Sequence, residues 1–233
     1  MIDLSQTKRV LAIFAHPDDE TLAAGGTLSK LSRLGAEIRV VIPATGIHAR
    51  KNKKTQAEQS AASGVLSQDC QKALGHLGID VDNIVLGDFP DNEMDSVSLL
   101  SVIHWLEPHF ESFNPDLVLT HYRGCTNVDH RVCHEAVTVL ARPNVGCQIP
   151  VLTGEVPSST GYRRPAVFEP NVYVELSEED VSNKINSMES YTGEARPDPH
   201  PRSAEVLRAL AKVRGSESGY MWAEAFMLLR GFA

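Results

Sequence analysis

The sequence has few cysteines, no long apolar run and no characteristic secretory start. Its four cysteines, Cys70, Cys125, Cys133 and Cys147, form no CxxC pair, and 233 residues can bury a core without disulfides. We therefore expect reduced thiols in a cytoplasmic protein. No apolar stretch reaches the roughly 18 residues of a membrane-spanning helix. The polar residues 1–9 do not resemble a secretory signal.

Positive charge is also scarce. The chain has 22 Lys and Arg against 30 Asp and Glu, a formal net charge of −8. This balance argues against nucleic-acid binding and against docking on an acidic membrane surface, because both need a basic face. Neither GxGxxG nor a P-loop motif is present, which argues against a nucleotide-dependent oxidoreductase.

The remaining pattern alternates short apolar runs with helical periodicity. A strand at 9–15, a helix at 21–34 and a strand at 37–42 form one β-α-β unit. Later strands are predicted at 83–86, 116–120, 149–153 and 171–175. One helix is predicted after the polar residues 44–59 and ends at about residue 76. Further helices are predicted at 97–113, 130–141, 177–191 and 203–214. The alternation predicts an α/β fold, with a Rossmann-like, mostly parallel sheet and helices on both faces.

The pattern loosens after residue 154, where prolines recur at 157, 165, 170, 197, 199 and 201. We expect one domain over residues 1–233. In this interpretation, residues 1–154 form the core, and residues 155–233 are a Pro-rich C-terminal extension packed on it.

The first group of chemically active side chains is His16-Pro17-Asp18-Asp19-Glu20, directly after the first strand. Ligands of open parallel sheets bind beyond the carboxyl ends of the strands. On a tight turn, His16 and Asp19 could reach one metal ion and leave a second carboxylate free beside it. The alternative is structural, since acidic residues favour a helix N-terminus electrostatically.

The second group is Asn127-Val128-Asp129-His130, which follows the strand predicted at 116–120. Two strand ends of one sheet can converge, so His16, Asp19 and His130 could form a three-ligand site. Two imidazoles and a carboxylate suit zinc, with Fe²⁺ as another possible ion, and leave a position open for water.

Other histidines point less clearly to a site. His130 and His134 have the spacing of HExxH zinc proteases, but Arg131 occupies the position of the catalytic Glu. His134 fits a supporting or surface role better, and His104 and His109 fit structural or solvated positions in a helix.

The run Ala15-His16-Pro17-Asp18-Asp19-Glu20, with Asp129-His130 downstream, resembles the LmbE-like, or PIG-L, family of metal-dependent N-deacetylases. The resemblance covers nearly the whole chain. Four further stretches resemble a bacterial branch tied to amino-sugar or surface-polysaccharide pathways: FPDN at 89–92, EVPSS at 155–159, PHPRS at 199–203 and AEAF at 223–226.

The resemblance implies roles for individual residues. It assigns His16, Asp19 and His130 as metal ligands, usually of zinc, and Asp18 as the general base. Asp129 corresponds to an acidic residue that orients catalytic groups. Many members read His-Pro-Asp-His at the second motif.

Asn127 stands where those members have the first His, and its amide can donate to an oxyanion but cannot shuttle a proton at neutral pH. The proton donor would then be Asp18 acting twice, with His121 or His200 as possible assistants.

The implied activity is zinc-dependent hydrolysis of an N-acetyl group on an amino sugar that is free, nucleotide-linked or glycan-linked. Candidate sugar contacts are Arg50, Asp91, Asn92 and His200. The basic run at 50–54 could meet a substrate phosphate, or could be a solvated loop. Cys125 could be a fortuitous ligand or a small buried side chain, and Glu224 could support the active-site loops.

Other functions remain open. The chain could deacylate another N-acyl conjugate in a thiol or antibiotic pathway, or bind sugar or metal without turnover. Retention of Asp18 beside the ligands favours an enzyme, because binding alone needs no free carboxylate there. The expected partner is a small-molecule or glycan substrate rather than a nucleic acid, and the C-terminal third could supply a homo-oligomer interface.

Overall fold

The computed structural model describes residues 4–45, 56–144 and 148–232, with residues 56–63 described by their backbone alone. This part of the chain contains seven strands and six α-helices. The strands are β1 (Arg9–Ile13), β2 (Glu37–Ile42), β3 (Ile84–Leu86), β4 (Leu117–His121), β5 (Val151–Gly154), β6 (Val172–Glu175) and β7 (Ala223–Arg230). The helices are α1 (Asp19–Arg33), α2 (Gln56–His76), α3 (Leu99–Phe113), α4 (Val128–Leu140), α5 (Glu178–Ser190) and α6 (Ala204–Ser218).

The strands form one sheet in the order β3-β2-β1-β4-β5-β7-β6. The first five strands pair in parallel, whereas β7 is antiparallel to both β5 and β6. This arrangement confirms the predicted mostly parallel α/β sheet. The sequence analysis did not predict β7, which places its AEAF stretch between two other strands.

Side chains of β1 and the residue after it alternate between two hydrophobic cores. Val10, Ala12 and Phe14 pack with α1, α2 and α5 on one face of the sheet. Leu11 and Ile13 pack with α3 and α4 on the other face. A central strand covered on both faces needs a continuous apolar sequence, which explains why β1 was easy to predict.

A buried ion pair ties the C-terminal part of the chain to α1. Lys184 Nζ, from α5, lies 2.7 Å from Glu224 Oε1, from β7, and donates to the Leu22 carbonyl. The two Glu224 oxygens accept the Gly26 and Thr27 amides, at 2.9 and 2.7 Å. The pair therefore bonds to backbone groups in the middle of α1, the helix that begins at the HPDDE turn. This contact gives Glu224 a concrete supporting role.

Some sequence predictions fall outside the described residues. Arg50, the rest of the basic run at 50–54, and Cys147 are among them. Of the other cysteines, Cys70, Cys125 and Cys133 are buried free thiols. Among the helices of the described ranges, none has the length and hydropathy needed to cross a bilayer.

Candidate active site

The site lies where the order of the parallel strands reverses. The first strand pairs with β2 on one side and with β4 on the other, so chain segments leaving β1 and β4 diverge at its carboxyl end. Such a switch point leaves a crevice between the two connections, which is where open α/β sheets bind ligands. The HPDDE turn (residues 16–20) and the segment 121–130 meet there.

Three predicted metal ligands come together at this point. His16 Nδ1 and His130 Nε2 each lie 3.0 Å from the same atom, Asp19 Oδ2. Asp19 and His130 are almost fully buried, whereas the His16 side chain is 14% exposed. One potential ligand atom from each residue lies within 4.8 Å of the others, so the three could hold one ion. His16 forms the side of this group that opens to solvent.

A buried carboxylate fixes the orientation of His16. Asp129 Oδ2 accepts from His16 Nε2 at 2.9 Å, and Asp91 Oδ1 lies 3.0 Å from the same nitrogen. Asp129 also accepts the amides of Asn92 at 2.6 Å and Met94 at 3.0 Å. A proton on Nε2 leaves the Nδ1 lone pair free for a metal, which is the usual carboxylate–histidine–metal arrangement.

The charges of the group depend on one another. Burial alone would lower the pKa of His16, but hydrogen bonds with Asp129, Asp19 and Asp91 outweigh it and raise this pKa well above its usual value. Burial alone would raise the pKa of Asp19, but His130 and His16 hold it well below the usual range. Asp19 is therefore a carboxylate at neutral pH, the form that a metal ligand requires.

A second set, His121, Cys125 and His130, is also close enough to surround an ion. His121 Nε2 already accepts the Ala15 amide at 2.7 Å, and burial holds the pKa of His121 well below its usual value. The neutral ring must then carry its proton on Nδ1, which has no lone pair to offer. Burial also raises the pKa of the Cys125 thiol to about 12. Because metal ligation needs a thiolate and a free imidazole nitrogen, this set is the poorer metal site.

Asp18 adopts an unusual backbone conformation at the start of α1. Its φ is 107° and ψ is −29°, and its side chain makes no capping hydrogen bond to the helix. Positive φ is uncommon outside glycine and costs about 1–3 kcal/mol, which persists only where surrounding contacts enforce it. Asp18 is 2% exposed, so its carboxylate is held almost wholly out of solvent. Burial and the Asp19 charge raise the pKa of the Asp18 carboxyl well above its usual value.

Glu20 supplies one of the contacts that enforce this turn. Its Oε2 accepts the Asp18 amide at 3.1 Å, and its Oε1 accepts the Tyr191 and Thr21 hydroxyls at 2.7 and 2.8 Å. Thr21 Oγ1 also lies 2.8 Å from Ser187 Oγ on α5. The HPDDE turn is thus held from its buried side by residues of the C-terminal third.

Asn127 and Asn92 form a linked pair on the more exposed side of the site. The Asn127 side-chain oxygen accepts the Asp129 amide at 2.8 Å and so caps α4. Its Nδ2 donates to Asn92 Oδ1 at 2.9 Å. An amide nitrogen has two protons, so Asn127 keeps one more to donate.

Two of the other sequence candidates form hydrogen bonds with backbone groups. His200 is exposed, and its Nδ1 accepts the Arg202 amide at 3.1 Å. His134 donates from Nδ1 to the His121 carbonyl at 2.9 Å and thereby supports the end of β4.

The sequence analysis missed Arg202, whose Nη1 lies 3.2 Å from Asp18 Oδ2. The available signal was the PHPRS run at 199–203, which contains both His200 and Arg202.

Comparison with known proteins decides the family. A model of the family described as GlcNAc-PI de-N-acetylase, PIG-L, matches residues 11–141. The chain belongs to this family. The match includes the HPDDE turn and the segment 121–130, so it covers both halves of the site.

One curated relative is the 1D-myo-inositol 2-acetamido-2-deoxy-alpha-D-glucopyranoside deacetylase of Mycobacterium sp. (strain JLS). It is 28% identical over 179 residues, which are 66% of this chain and 56% of the relative. This PIG-L chain therefore spans about half the length of that protein.

Two solved structures share the fold. N,N′-diacetylchitobiose deacetylase from Pyrococcus horikoshii superposes with a TM-score of 0.75 at 21% identity, covering 97% of this chain and 85% of that one. GalB, the 4-carboxy-2-hydroxymuconate hydratase of Pseudomonas putida KT2440, superposes with a TM-score of 0.73 at 18% identity, covering 97% and 98%. Because one is a deacetylase and the other a hydratase, the fold alone does not determine the reaction.

Proposed function

We propose that this PIG-L protein is a metal-dependent hydrolase that removes the N-acetyl group from an N-acetylated amino sugar. The observation that carries the proposal is the grouping of His16, Asp19 and His130 with a fourth residue, the buried carboxylate of Asp18, which directly precedes Asp19 and lies outside the ligand set. Binding a metal needs the first three residues, whereas a further carboxylate beside them suits proton transfer. The deacetylases of Mycobacterium and Pyrococcus support the same reaction class by similarity.

Zinc fits the donor set, and Fe²⁺ is the other candidate. His16 Nδ1, His130 Nε2 and Asp19 Oδ2 offer two imidazole nitrogens and one anionic oxygen, a combination typical of catalytic zinc. The Asp129 contact supports this assignment because it frees His16 Nδ1. A zinc ion bound there would polarise the amide carbonyl and lower the pKa of a nearby water to about 7.

In this proposal Asp18 is the general base. Its carboxylate accepts a proton from the attacking water and later returns it to the leaving amine, which makes one residue serve both steps. The free Nδ2 proton of Asn127 is available to the oxyanion. Asn127 thereby replaces a histidine as a hydrogen-bond donor, but not as a proton shuttle. His121 is a poor assistant, since its Nε2 is bonded to the Ala15 amide.

The sugar would lie over the exposed side of the ligands. Asp91 and Asn92 follow β3 and border His16, so they are placed to accept or donate hydrogen bonds to hydroxyls. Arg50, which lies outside the described residues, and His200 complete the proposed set of sugar contacts. The basic run around Arg50 could meet a substrate phosphate or be a solvated loop. The proposal covers free, nucleotide-linked and glycan-linked sugars alike.

Acetate release from a panel of N-acetylated sugars tests the proposal. The panel contains free, nucleotide-linked and inositol-linked N-acetylglucosamine and N,N′-diacetylchitobiose. Each is incubated with zinc-loaded protein, chelator-treated protein and zinc-loaded Asp18→Asn. We expect acetate from at least one substrate with zinc-loaded wild type, and no release after chelation or in the variant.

Three results would point elsewhere. Release of a different acid from an N-acyl conjugate would favour the alternative deacylase. Zinc binding without any turnover on sugars or conjugates would favour a non-catalytic binding protein. Release that survives chelation would overturn the metal dependence.

A further inference from the structure

Arg202 reaches the proposed base from a distant part of the chain. It belongs to the turn between α5 and α6, and its Nη1 lies 3.2 Å from Asp18 Oδ2. The same Nη1 contacts Glu194 Oε2, from the same turn. The Arg202 side chain is 22% exposed and Asp18 is 2% exposed, so the contact lies largely out of solvent.

Asp18 lies among other buried carboxylates that have their own partners. Asp19 faces His16 and His130, and Glu20 accepts two hydroxyls and an amide. Among the residues that the structure describes, the ion-pair partner of Asp18 is Arg202. Arg202 therefore balances a charge that would otherwise be buried unpaired, which is costly.

The Asp18 side chain does not cap the helix that it precedes. An aspartate at the start of a helix ordinarily accepts from the first backbone amides when its own backbone is extended, whereas Asp18 has a φ of 107°. The Asp18 side chain makes no such bond. The Arg202 guanidinium faces Asp18 Oδ2 instead, and Glu194 contacts the same guanidinium.

We propose that Arg202 is the positioning residue of the base: it fixes the side-chain orientation of Asp18, with Glu194 anchoring the guanidinium. The inference rests on the proposed function for its catalytic consequence. The structural part of the inference is that the orientation of Asp18 depends on Arg202. This part can be tested whatever the substrate is.

The test compares Arg202→Met and Arg202→Lys with the matched control Arg208→Met. Arg208 makes an ion pair with Glu178 between α6 and α5, and both side chains are substantially exposed. Crystal structures of Arg202→Met and Arg208→Met show the Asp18 orientation directly. Zinc affinity, kcat and KM are measured for all three variants and wild type, with and without added methylguanidinium.

In Arg202→Met we expect the Asp18 carboxylate to leave the orientation in which Oδ2 faces residue 202. We also expect kcat to fall on the order of 10²-fold, as for other misplaced catalytic groups. KM and zinc affinity should stay within about threefold of wild type. Methylguanidinium should restore part of the lost kcat in Arg202→Met but none in Asp18→Asn, and Arg202→Lys should be intermediate. Arg208→Met should match wild type throughout.

An unmoved Asp18 in the Arg202→Met crystal would overturn the inference, whatever the activity. A loss of kcat that methylguanidinium does not relieve, together with weaker zinc binding, would also overturn the inference. That pattern would mean that Arg202 only stabilises the local structure. Absence of acetate release from wild type would instead count against the proposed function, and the two crystal structures would still decide the role of Arg202.

Discussion

His16 Nε2 and Asp129 Oδ2 lie 2.9 Å apart, and Asp129 is fully buried beneath the imidazole. The carboxylate also accepts two amides from the loop after β3. One buried group therefore fixes both the ring of a proposed metal ligand and the loop that borders the substrate side. This relationship gives Asp129 a more specific role than general orientation of catalytic groups.

Replacing Asp129 with Asn should weaken zinc binding. The neutral amide is a poorer acceptor for His16 Nε2, and loss of such supporting contacts typically reduces metal affinity about 10–100-fold. Competition with a chromophoric chelator measures the change. Asp95→Asn, which alters an exposed carboxylate in the same loop region, is the control and should bind zinc like wild type. Equal affinity in Asp129→Asn and wild type would contradict the assigned tautomer of His16.

Replacing Asp18 with Asn should separate metal binding from turnover. Asn tolerates positive φ as well as Asp does, so the turn should survive. We expect one zinc per chain and a loss in kcat of about 10²–10⁴-fold, the usual contribution of a general base. Metal content and steady-state kinetics check this. Wild-type kcat in this variant would show that another group takes the proton.

Cysteine replacement discriminates between the two candidate metal-binding sets. Cys125→Ser removes a thiol from the set His121, Cys125 and His130, but leaves the proposed ligands intact. We expect zinc affinity in Cys125→Ser to stay within about threefold of wild type. In Asp19→Asn the zinc affinity should instead fall about 10-fold or more, because the substitution removes the anionic ligand. The reverse ranking would place the ion at the second set.

Asp180, which is not part of the candidate active site, should make the free energy of unfolding depend on pH. Burial alone would raise its pKa, but hydrogen bonds from Ser177 and the ion pair with Arg33 outweigh it and lower the pKa. A lowered pKa means that the stabilisation is fully present above the unfolded value, about 3.9, and is lost as pH falls through the folded value.

Asp180→Asn should therefore unfold more easily than wild type at neutral pH. We expect a deficit of about 1–2 kcal/mol, the size of a lost helix-capping contact. The deficit should shrink as the pH falls below about 4. Urea unfolding of both proteins across this range measures it, with exposed Asp82→Asn as the control. A deficit that stays constant with pH would mean that the charge of Asp180 contributes nothing.

Local patterns in the sequence determined much of the fold and the core of the site. Buried parallel strands such as β1 and β4 need continuous apolar runs, and their periodicity is visible without a structure. The HPDDE turn and Asp129-His130 each follow such a strand. Since neighbouring parallel strands end at the same edge of a sheet, the grouping of His16, Asp19 and His130 could be predicted.

Contacts between distant segments required the tertiary structure. The last strand, β7, lies between β5 and β6, and that pairing leaves no local signal in the sequence. Likewise, Asp91 meets His16, and Lys184 and Glu224 meet α1, only because separate loops and helices pack together.

Arg202 shows the difference most clearly. Its five-residue run was visible in the sequence, but which side chain of that run faces Asp18 depends on the path of the turn between α5 and α6. The sequence by itself determined which chemically active side chains follow each strand end. The packing of the C-terminal third decided how those residues are held, because hydrogen bonds and ion pairs depend on three-dimensional proximity rather than on spacing along the chain.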